Sequence, residues 1–582
     1  MSPGYGYGIS DVMSSSKTAA IGGGGGSGET KFVIEVTIDD TDASGNRDFQ
    51  FYSQGSLGLQ NYNIDWGDGS SDTGVTTISK THTYSTNGVY DIKVDGRFGI
   101  AFSGTLLTNR NKVTKLKNWG TNEAELIGLY QAFDRCINMV YEATDYPDLS
   151  NLDTGVQRFF QRVFYDCDKL GNVDLTNWQN LNNITRANSM FQAVSENASI
   201  NLNNWDTSNF TRISLIFSSL GATGGSATVT AQNWDLTSLD ATNATSIFEG
   251  AKCSSVDVSG WTFNPATNMY FTRMFKFCRN LTSVDLSTWV DCHVGYAFEM
   301  FRNMQEVQTI NISGIDWSNN TNCAGMFNFC NNLTAITGLN EMSLNSVTNL
   351  NNMFNSCYVL QFTGTSDFDS SYTASNNTNL NRTFYNTGVN NPTPPPNISQ
   401  WNTSNVTNMS ECFSRARFTS NLDLSGWNLS SVTTMFRCFY LNDGITSINA
   451  TNWNISNALT NMQGAFRTSE LQDITFGSTS DFSGVTTFQN CFNGTTSITS
   501  INFPNNADFS SVTNMSSFIN SSTQAMTVAE YDNFLLRFDA TNSNSGITLS
   551  MGTCKYTGGG AVATARANIV ARGNTITDGG TA

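Results

Sequence analysis

Apolar positions in this chain return on a long beat. A phenylalanine recurs about every 26 to 31 residues, at Phe133, Phe164, Phe191, Phe217, Phe248, Phe275, Phe301, Phe327, Phe354, Phe384, Phe413, Phe439, Phe466, Phe492 and Phe518. Within one unit, Leu281 to Trp289, Val284 and Leu286 fall on one side and Asp285 on the other, the two-residue period of a strand. Further along a unit, Val406, Met409 and Phe413 stand at i, i+3 and i+7, which predicts one face of a short helix. Thr403 to Asn405 precede it with side chains able to cap its start. Tryptophan marks the strand exit at Trp178, Trp205, Trp234, Trp261, Trp289, Trp317, Trp401, Trp427 and Trp453. The chain thus predicts a stack of strand–turn–helix units sharing a core that none could bury alone. One buried Phe per unit contributes about 1.5–3 kcal/mol. At a strand spacing of ~4.8 Å the stack spans roughly 70 Å.

The flanks follow other patterns. Residues 1–30 are rich in Gly and Ser, with a run from Gly22 to Gly26, and read as a flexible arm that a neighbouring subunit orders. Residues 31–100 read as short strands, with Ile34, Val36 and Ile38, then Tyr90, Ile92 and Val94, alternating with polar positions. Asp68-Gly69 is a turn signal. Residues 101–523 carry the repeat, which the proline-rich Asn390 to Asn397 interrupts as an expected looped-out insertion. In 524–582, Thr527 to Glu530 has the form of a capping box, and Val528, Tyr531, Leu535 and Phe538 mark a helix face. Ile547, Leu549 and Met551 alternate as a strand, and a helix over Ala561 to Arg572 stops at Gly573. This atypical segment is expected to cap the stack, closing its exposed core.

Composition narrows the function. The net charge is −17, which opposes nucleic acid and anionic membranes, since both demand a basic face. No window approaches the ~18 apolar residues of a membrane span. The first residues show neither a basic nor an apolar signal region, so no secretory leader is expected. Of twelve cysteines, Cys136, Cys167, Cys278, Cys330 and Cys357 lie three residues after a repeat Phe, and Cys412, Cys438 and Cys491 immediately before one. Fixed slots without a CxxC pair argue for small buried thiols in the stacked core rather than disulfides or zinc.

Two resemblances add expectations. Ile64-Asp65-Trp66-Gly67-Asp68-Gly69-Ser70 resembles the WDFGDGS motif of the PKD family, and His82-Thr83-Tyr84 followed by Gly88-Val89-Tyr90-Asp91-Ile92 resembles its HTY…GxYxV motif. Ile64 stands where that family has Trp, and Trp66 where it has Phe. The resemblance implies an immunoglobulin-like β-sandwich of an extracellular protein over residues 31–100. The units resemble the leucine-rich-repeat strand pattern LxxLxLxxN and, more closely, the BspA-type surface proteins of mycoplasma type. The run from Trp401 through Thr403-Ser404-Asn405-Val406-Thr407-Asn408-Met409 to Phe413 carries the likeness best, with looser copies at Trp205 to Phe217, Met326-Phe327 to Leu333 and Met353-Phe354 to Leu360. That likeness implies surface exposure, adhesion or structural display, and brings no catalytic motif. The expected fold is mainly β with short helices: an N-terminal sandwich, a leucine-rich-repeat-like solenoid of about fifteen units, and a small α/β cap.

Candidate chemistry is sparse. The outward strand positions form a series, Asp174, Asn201, Thr230, Asp257, Asp285, Asn311, Thr337 and Thr363, then Asp423, Asn449, Thr475 and Asn502. Stacked in register they make a polar ladder suited to a host glycan or protein; a solvated face whose side chains bond to one another is the alternative. Asp65 and Asp68 are candidate calcium ligands, against a plain turn. No other cofactor is expected. His82 belongs to the PKD-like motif, and Cys292-His293 lacks an orienting partner for a nucleophile. A glycosidase carboxylate pair is not nominated by any spacing. The reading is a non-enzymatic display and adhesion protein, foremost a bacteriophage virion subunit at the virion surface, oligomeric and held to other subunits by its arm. A bacterial cell-surface adhesin is the alternative and a glycan-degrading enzyme the third.

Overall fold

The computed structural model describes residues 29–582 apart from 42–44, 54–59, 106, 122, 153–159, 195–197, 222–226, 366, 369–375 and 520–523. The predicted arm over 1–30 lies almost wholly outside the described residues.

Alternating apolar residues build the first sheet. Phe32–Ile38 pairs antiparallel with Gly88–Gly99 on one side and with Val113–Trp119 on the other. Asn61–Asp65 and Ser71–Val75 extend the first side, while Asp48–Tyr52 and Ser79–Thr83 form a separate pair. This sheet runs past residue 100, because Val113–Trp119 then pairs in parallel with Val140–Tyr141 of the first repeat. The antiparallel sheet thereby takes in the first turn of the stack, and a separate parallel sheet starts one turn later at Val173–Asp174. The apolar interior also takes in the first turn: Phe32 touches Trp119 at 6.3 Å between ring centroids, and Trp119 touches Phe133 at 6.0 Å.

The repeats form a parallel β-solenoid of about 17 turns. Many turns add a two- to five-residue strand to a neighbour, as in Ser199–Asn201 on Ala227–Thr230, Thr309–Asn311 on Ala335–Thr337, and Ser447–Ala450 on Asp473–Phe476. The turns between Thr337 and Ser447 are joined by single bridges such as Asn349 to Asn379 and Asn379 to Asn408. Short strands suffice because each is buried against neighbours above and below. The repeat phenylalanines lie inside, none more than 1% exposed. Their rings stack in one column from Phe133 to Phe492, at 5.1–5.9 Å between centroids and within 19° of parallel. A second column stacks Trp178, Trp205, Trp234, Trp261 and Trp289.

The helix expected from Val406, Met409 and Phe413 does not form. All three side chains are buried as the pattern requires, but the backbone is an arc of tight turns around each Phe. In the unit of Phe275, the amides of Arg273, Phe275 and Phe277 donate to the next turn's Phe298, Met300 and Arg302 carbonyls at 2.8–3.0 Å. The intervening amides of Met274, Lys276 and Cys278 close turns onto carbonyls three residues back. A helix spends its amides within itself, whereas this arc spends every second one on its neighbour. The residues two before and two after the Phe adopt left-handed backbone, such as Arg273 at φ 57° and Phe277 at φ 64°. Such conformations cost about 1–3 kcal/mol at non-glycine residues and persist only where the surroundings fix them. Here the bonds between turns do so, and Asn, Ser or Gly fills many of the slots.

All twelve cysteines are free and buried. In the slot three after Phe, the thiol satisfies a carbonyl of the stack. Cys167, Cys278, Cys330 and Cys357 donate to the Phe carbonyl of the preceding turn at 3.0–3.2 Å. Thr387 and Thr495 occupy the same slot and make the same bond through Oγ1.

The proline-rich Asn390 to Asn397 is not looped out. Thr393 is fully buried, pairs with Phe418 in a parallel bridge, and donates its amide to Arg417. Its hydroxyl also accepts the Phe362 amide at 2.7 Å. Prolines lack only a donor, so the lone Thr supplies the pairing the stack needs.

Among the described residues, α-helices appear only where the aromatic beat ends, apart from a one-turn helix at Leu107–Arg110. Phe518 meets Phe492 edge-on, at 88°. The next helix, Val528–Thr541, opens with a complete Thr527–Glu530 capping box and buries Tyr531, Phe534, Leu535 and Phe538. A separate parallel sheet runs from Met515–Ile519 through Thr548–Met551 to Thr575–Thr577, with the helix Gly560–Ala571 between the last two strands.

Candidate functional site: the outward ladder

The register of the stacked strands decides how the ladder is assembled. Asp174, Asn201, Thr230 and Asp257 are consecutive partners. Asp285, Asn311 and Thr337 form a second run, and Asn449, Thr475 and Asn502 a third. Within each run no two aspartates stand side by side, which avoids the repulsion of like charges on adjacent strands. Thr363 and Asp423 lie outside the paired strands; Thr363 donates its amide to Asp367 at 2.6 Å.

Each acidic or amide member shapes its own turn. The side-chain oxygen accepts the amide two residues on: Asp174 from Thr176 at 3.1 Å, Asp257 from Ser259 at 3.1 Å, Asp285 from Ser287 at 2.9 Å and Asp423 from Ser425 at 2.9 Å. Asn201, Asn311 and Asn449 bond likewise to Asn203, Ser313 and Thr451. These are Asx turns, and they aim the chain from the strand toward the buried Trp. The Ser425 hydroxyl and amide hold the Asp423 carboxyl below the usual carboxylate range. One oxygen of each carboxylate thus fixes the turn; Asp174, Asp285 and Asp423 are exposed, while the second oxygen of Asp257 accepts Gln232 Nε2 at 2.6 Å. Only Asn502 has no such turn among the described residues; beside it Phe503, Asn505 and Asn506 line a shallow open depression.

The PKD-like motif residues come together as a structural cluster. The Trp66 ring stacks on His82 at 5.0 Å, His82 meets Tyr84 edge-on at 4.6 Å, and the Tyr84 hydroxyl donates to the Trp66 carbonyl at 2.9 Å. Asp68 pairs with His82 Nε2 at 2.8 Å and accepts the Ser70 amide at 3.0 Å. Burial pushes the Asp68 carboxyl up, but hydrogen bonds from Ser70 and His82 outweigh it and hold the value at about 2. Asp65 accepts the Gly67 amide at 3.0 Å. Both candidate calcium ligands therefore serve a turn. No group of three or more His, Cys, Asp or Glu is placed to hold a metal ion among the described residues. Cys292 and His293 also part ways: the thiol is buried and its pKa pushed well up, while His293 Nδ1 turns to Asp316 at 3.3 Å.

Two arrays escape a reading by apolar periodicity. Exposed threonines stack from Thr321 through Thr348, Thr378, Thr407, Thr433, Thr460 and Thr486 to Thr513, each hydroxyl from Thr348 onward donating to the preceding Thr carbonyl at 2.9–3.2 Å. The Thr-Asn or Thr-Thr pair ahead of each Phe is their sequence signal. The second array is basic: every Lys and Arg between Phe133 and Phe518 lies within six residues of a repeat Phe. Its signal is the phase of those residues against the Phe beat.

No helix is long and apolar enough to cross a membrane among the described residues. No curated protein matches the chain. A family model described as "Mycoplasma protein of unknown function, DUF285" matches residues 127–261, 221–338, 270–396 and 348–475. The four matches overlap, as expected when one pattern repeats along a solenoid. Together they cover residues 127–475, more than half of the sequence, and the chain belongs to this DUF285 family of repeat proteins.

Proposed function

We propose that the chain is a non-enzymatic display and adhesion protein, a rod whose long polar faces contact a host surface. One observation carries this reading: the uninterrupted Phe column from Phe133 to Phe492, which makes the stack a single continuous body with repeating faces. Solenoids use such faces for extended binding. The ladder Asp174, Asn201, Asp257, Asp285, Asn311, Asp423, Asn449 and Asn502 is the adhesive face in this reading, with one outward oxygen or amide at most rungs. The PKD-like cluster around Trp66, Asp68 and His82 supports an extracellular setting. Attachment to a bacteriophage virion through residues 1–30 is the finer proposal, and attachment to a bacterial cell the second reading. Mass spectrometry of purified particles tests the first: the chain is expected among virion proteins, and its absence there overturns that placement. Binding of the purified full chain to host cells tests adhesion itself. A variant with Asp174, Asp257, Asp285 and Asp423 changed to Asn, which keeps each turn's acceptor and removes the charge, is expected to weaken retention while keeping the parent's circular dichroism. Undiminished retention refutes the ladder as the adhesive face.

A further inference from the structure

The basic edge has a feature that packing does not explain. Arg415, Arg437 and Arg467 come from three successive turns, and all three guanidiniums lie against one ring, Tyr440, at 5.9, 5.3 and 5.6 Å. None forms an ion pair with a carboxylate among the described residues. Three like charges gathered on one aromatic repel one another, in a protein whose net charge is −17 and which has spare carboxylates elsewhere. Cation–π contact offsets part of that repulsion, and Arg437 adds a second such contact with Phe436 at 4.9 Å. Arg382, one turn earlier, continues the row over Tyr385 at 5.4 Å, but is paired with Glu411.

We infer that this edge binds a linear acidic polysaccharide lying along the solenoid axis, its carboxylates or sulfates received by Arg415, Arg437 and Arg467. The guanidinium fork matches such oxyanions with two parallel hydrogen bonds. Cations recur at the turn spacing of ~4.8 Å, so an extended ligand with repeated charges fits and a single small anion does not use the row. The same observations argue against nucleic acid. A polyanion with one charge per ~1.7 Å of axis needs a broadly basic face, and here three arginines form one short row in a chain of net charge −17. The site lies off the strand-face ladder and stands or falls independently of it.

The test uses the full chain with immobilised polygalacturonate and heparin, neutral dextran as the control, and a single-stranded oligothymidylate as competitor. Retention on the two acidic polymers at low salt, its loss as salt rises, and passage through dextran are expected. Arg415→Gln, Arg437→Gln and Arg467→Gln together are expected to weaken binding roughly tenfold or more, because three charge-assisted contacts are lost. The circular dichroism and melting of that variant are expected to match the parent. No retention of the parent on either acidic polymer, or equal retention of the triple variant, overturns the site. Tighter binding of the oligothymidylate than of both glycans overturns the ligand class.

Discussion

Phe327→Ala tests the stacked column most directly. The ring is fully buried and lies between Phe301 and Phe354, each 5.6 Å away and within 8° of parallel. Truncating a buried Phe costs about 3–5 kcal/mol, transfer and cavity together. Each stacked pair adds about 0.5–1.5 kcal/mol beyond burial, and two pairs are lost here, so the upper part of that range is expected. The neighbouring turns cannot collapse onto the gap, because the amides of Phe301 and Phe327 pin them to Met326 and Met353 at 2.9 Å. In a stack coupled mainly between neighbours the loss is felt locally. The assay is therefore native-state hydrogen exchange at the Phe301, Phe327 and Phe354 amides. A loss of this size predicts exchange roughly a hundred- to several-thousand-fold faster, about 1.4 kcal/mol being a factor of ten. Phe329 provides the control: it lies in the same arc, 37% exposed, and Phe329→Ala is expected to change stability by no more than about 0.5 kcal/mol. Equal exchange in the two variants refutes the column as the source of cohesion.

Gly444 has φ +90°, and an added Cβ meets the Phe418 carbonyl oxygen at 1.8 Å, so Gly444→Ala is expected to destabilise by more than about 1 kcal/mol, read as a lowered melting transition. Burial pushes the thiols up, Cys136 and Cys438 beyond the usual range and Cys323 and Cys330 to about 12, so the native chain is expected to resist a thiol reagent at pH 8 and yield all twelve groups after unfolding. Cys357→Thr is expected to be near neutral, since Thr387 already makes the corresponding bond, while Cys357→Val leaves the Phe327 carbonyl without that donor and melts lower. The Asp68 value of about 2 lies below its unfolded value near ~3.9, so its contribution is present above pH ~4 and is lost as the pH falls toward 2. Fluorescence of Trp66 under acid titration checks this, and Asp68→Asn is expected to flatten that part of the profile.

The long beat was legible because a solenoid repeats its burial at a fixed residue count. Phe, Trp and Cys slots all translate into buried columns. The expected helix misled because an arc of successive i→i−3 turns buries Val406, Met409 and Phe413 much as a helix would. Apolar spacing reports which side chains face inward, not where alternate amides point. Left-handed backbone was hidden for the same reason, since Arg, Ser, Glu and Leu hold many of the slots and lack glycine's signature. The proline run read as an interruption because one buried Thr393 does the pairing amid residues that cannot. For the sites, the strand period was enough to pick out the ladder positions. The basic edge went unseen because its arginines occupy different slots, two before, one after and two after the Phe, and become neighbours only once the turns stack.

The alternating amides of the Phe arcs have an electrical consequence. In every arc the donors between turns point toward the C-terminal end and the acceptors toward the N-terminal end, from Phe102 to Phe518. Each peptide unit carries a dipole of about 3.5 D, and in ordinary sheets such moments largely cancel between strands. Here those of the arc add along the axis, turn upon turn, as they do in a helix. The arc side of the rod is consequently polarised lengthwise, positive toward the C-terminal helices and negative toward the first sheet, while the amides of the adjoining threonine column point the other way, so the two flanks of one stack carry opposed fields.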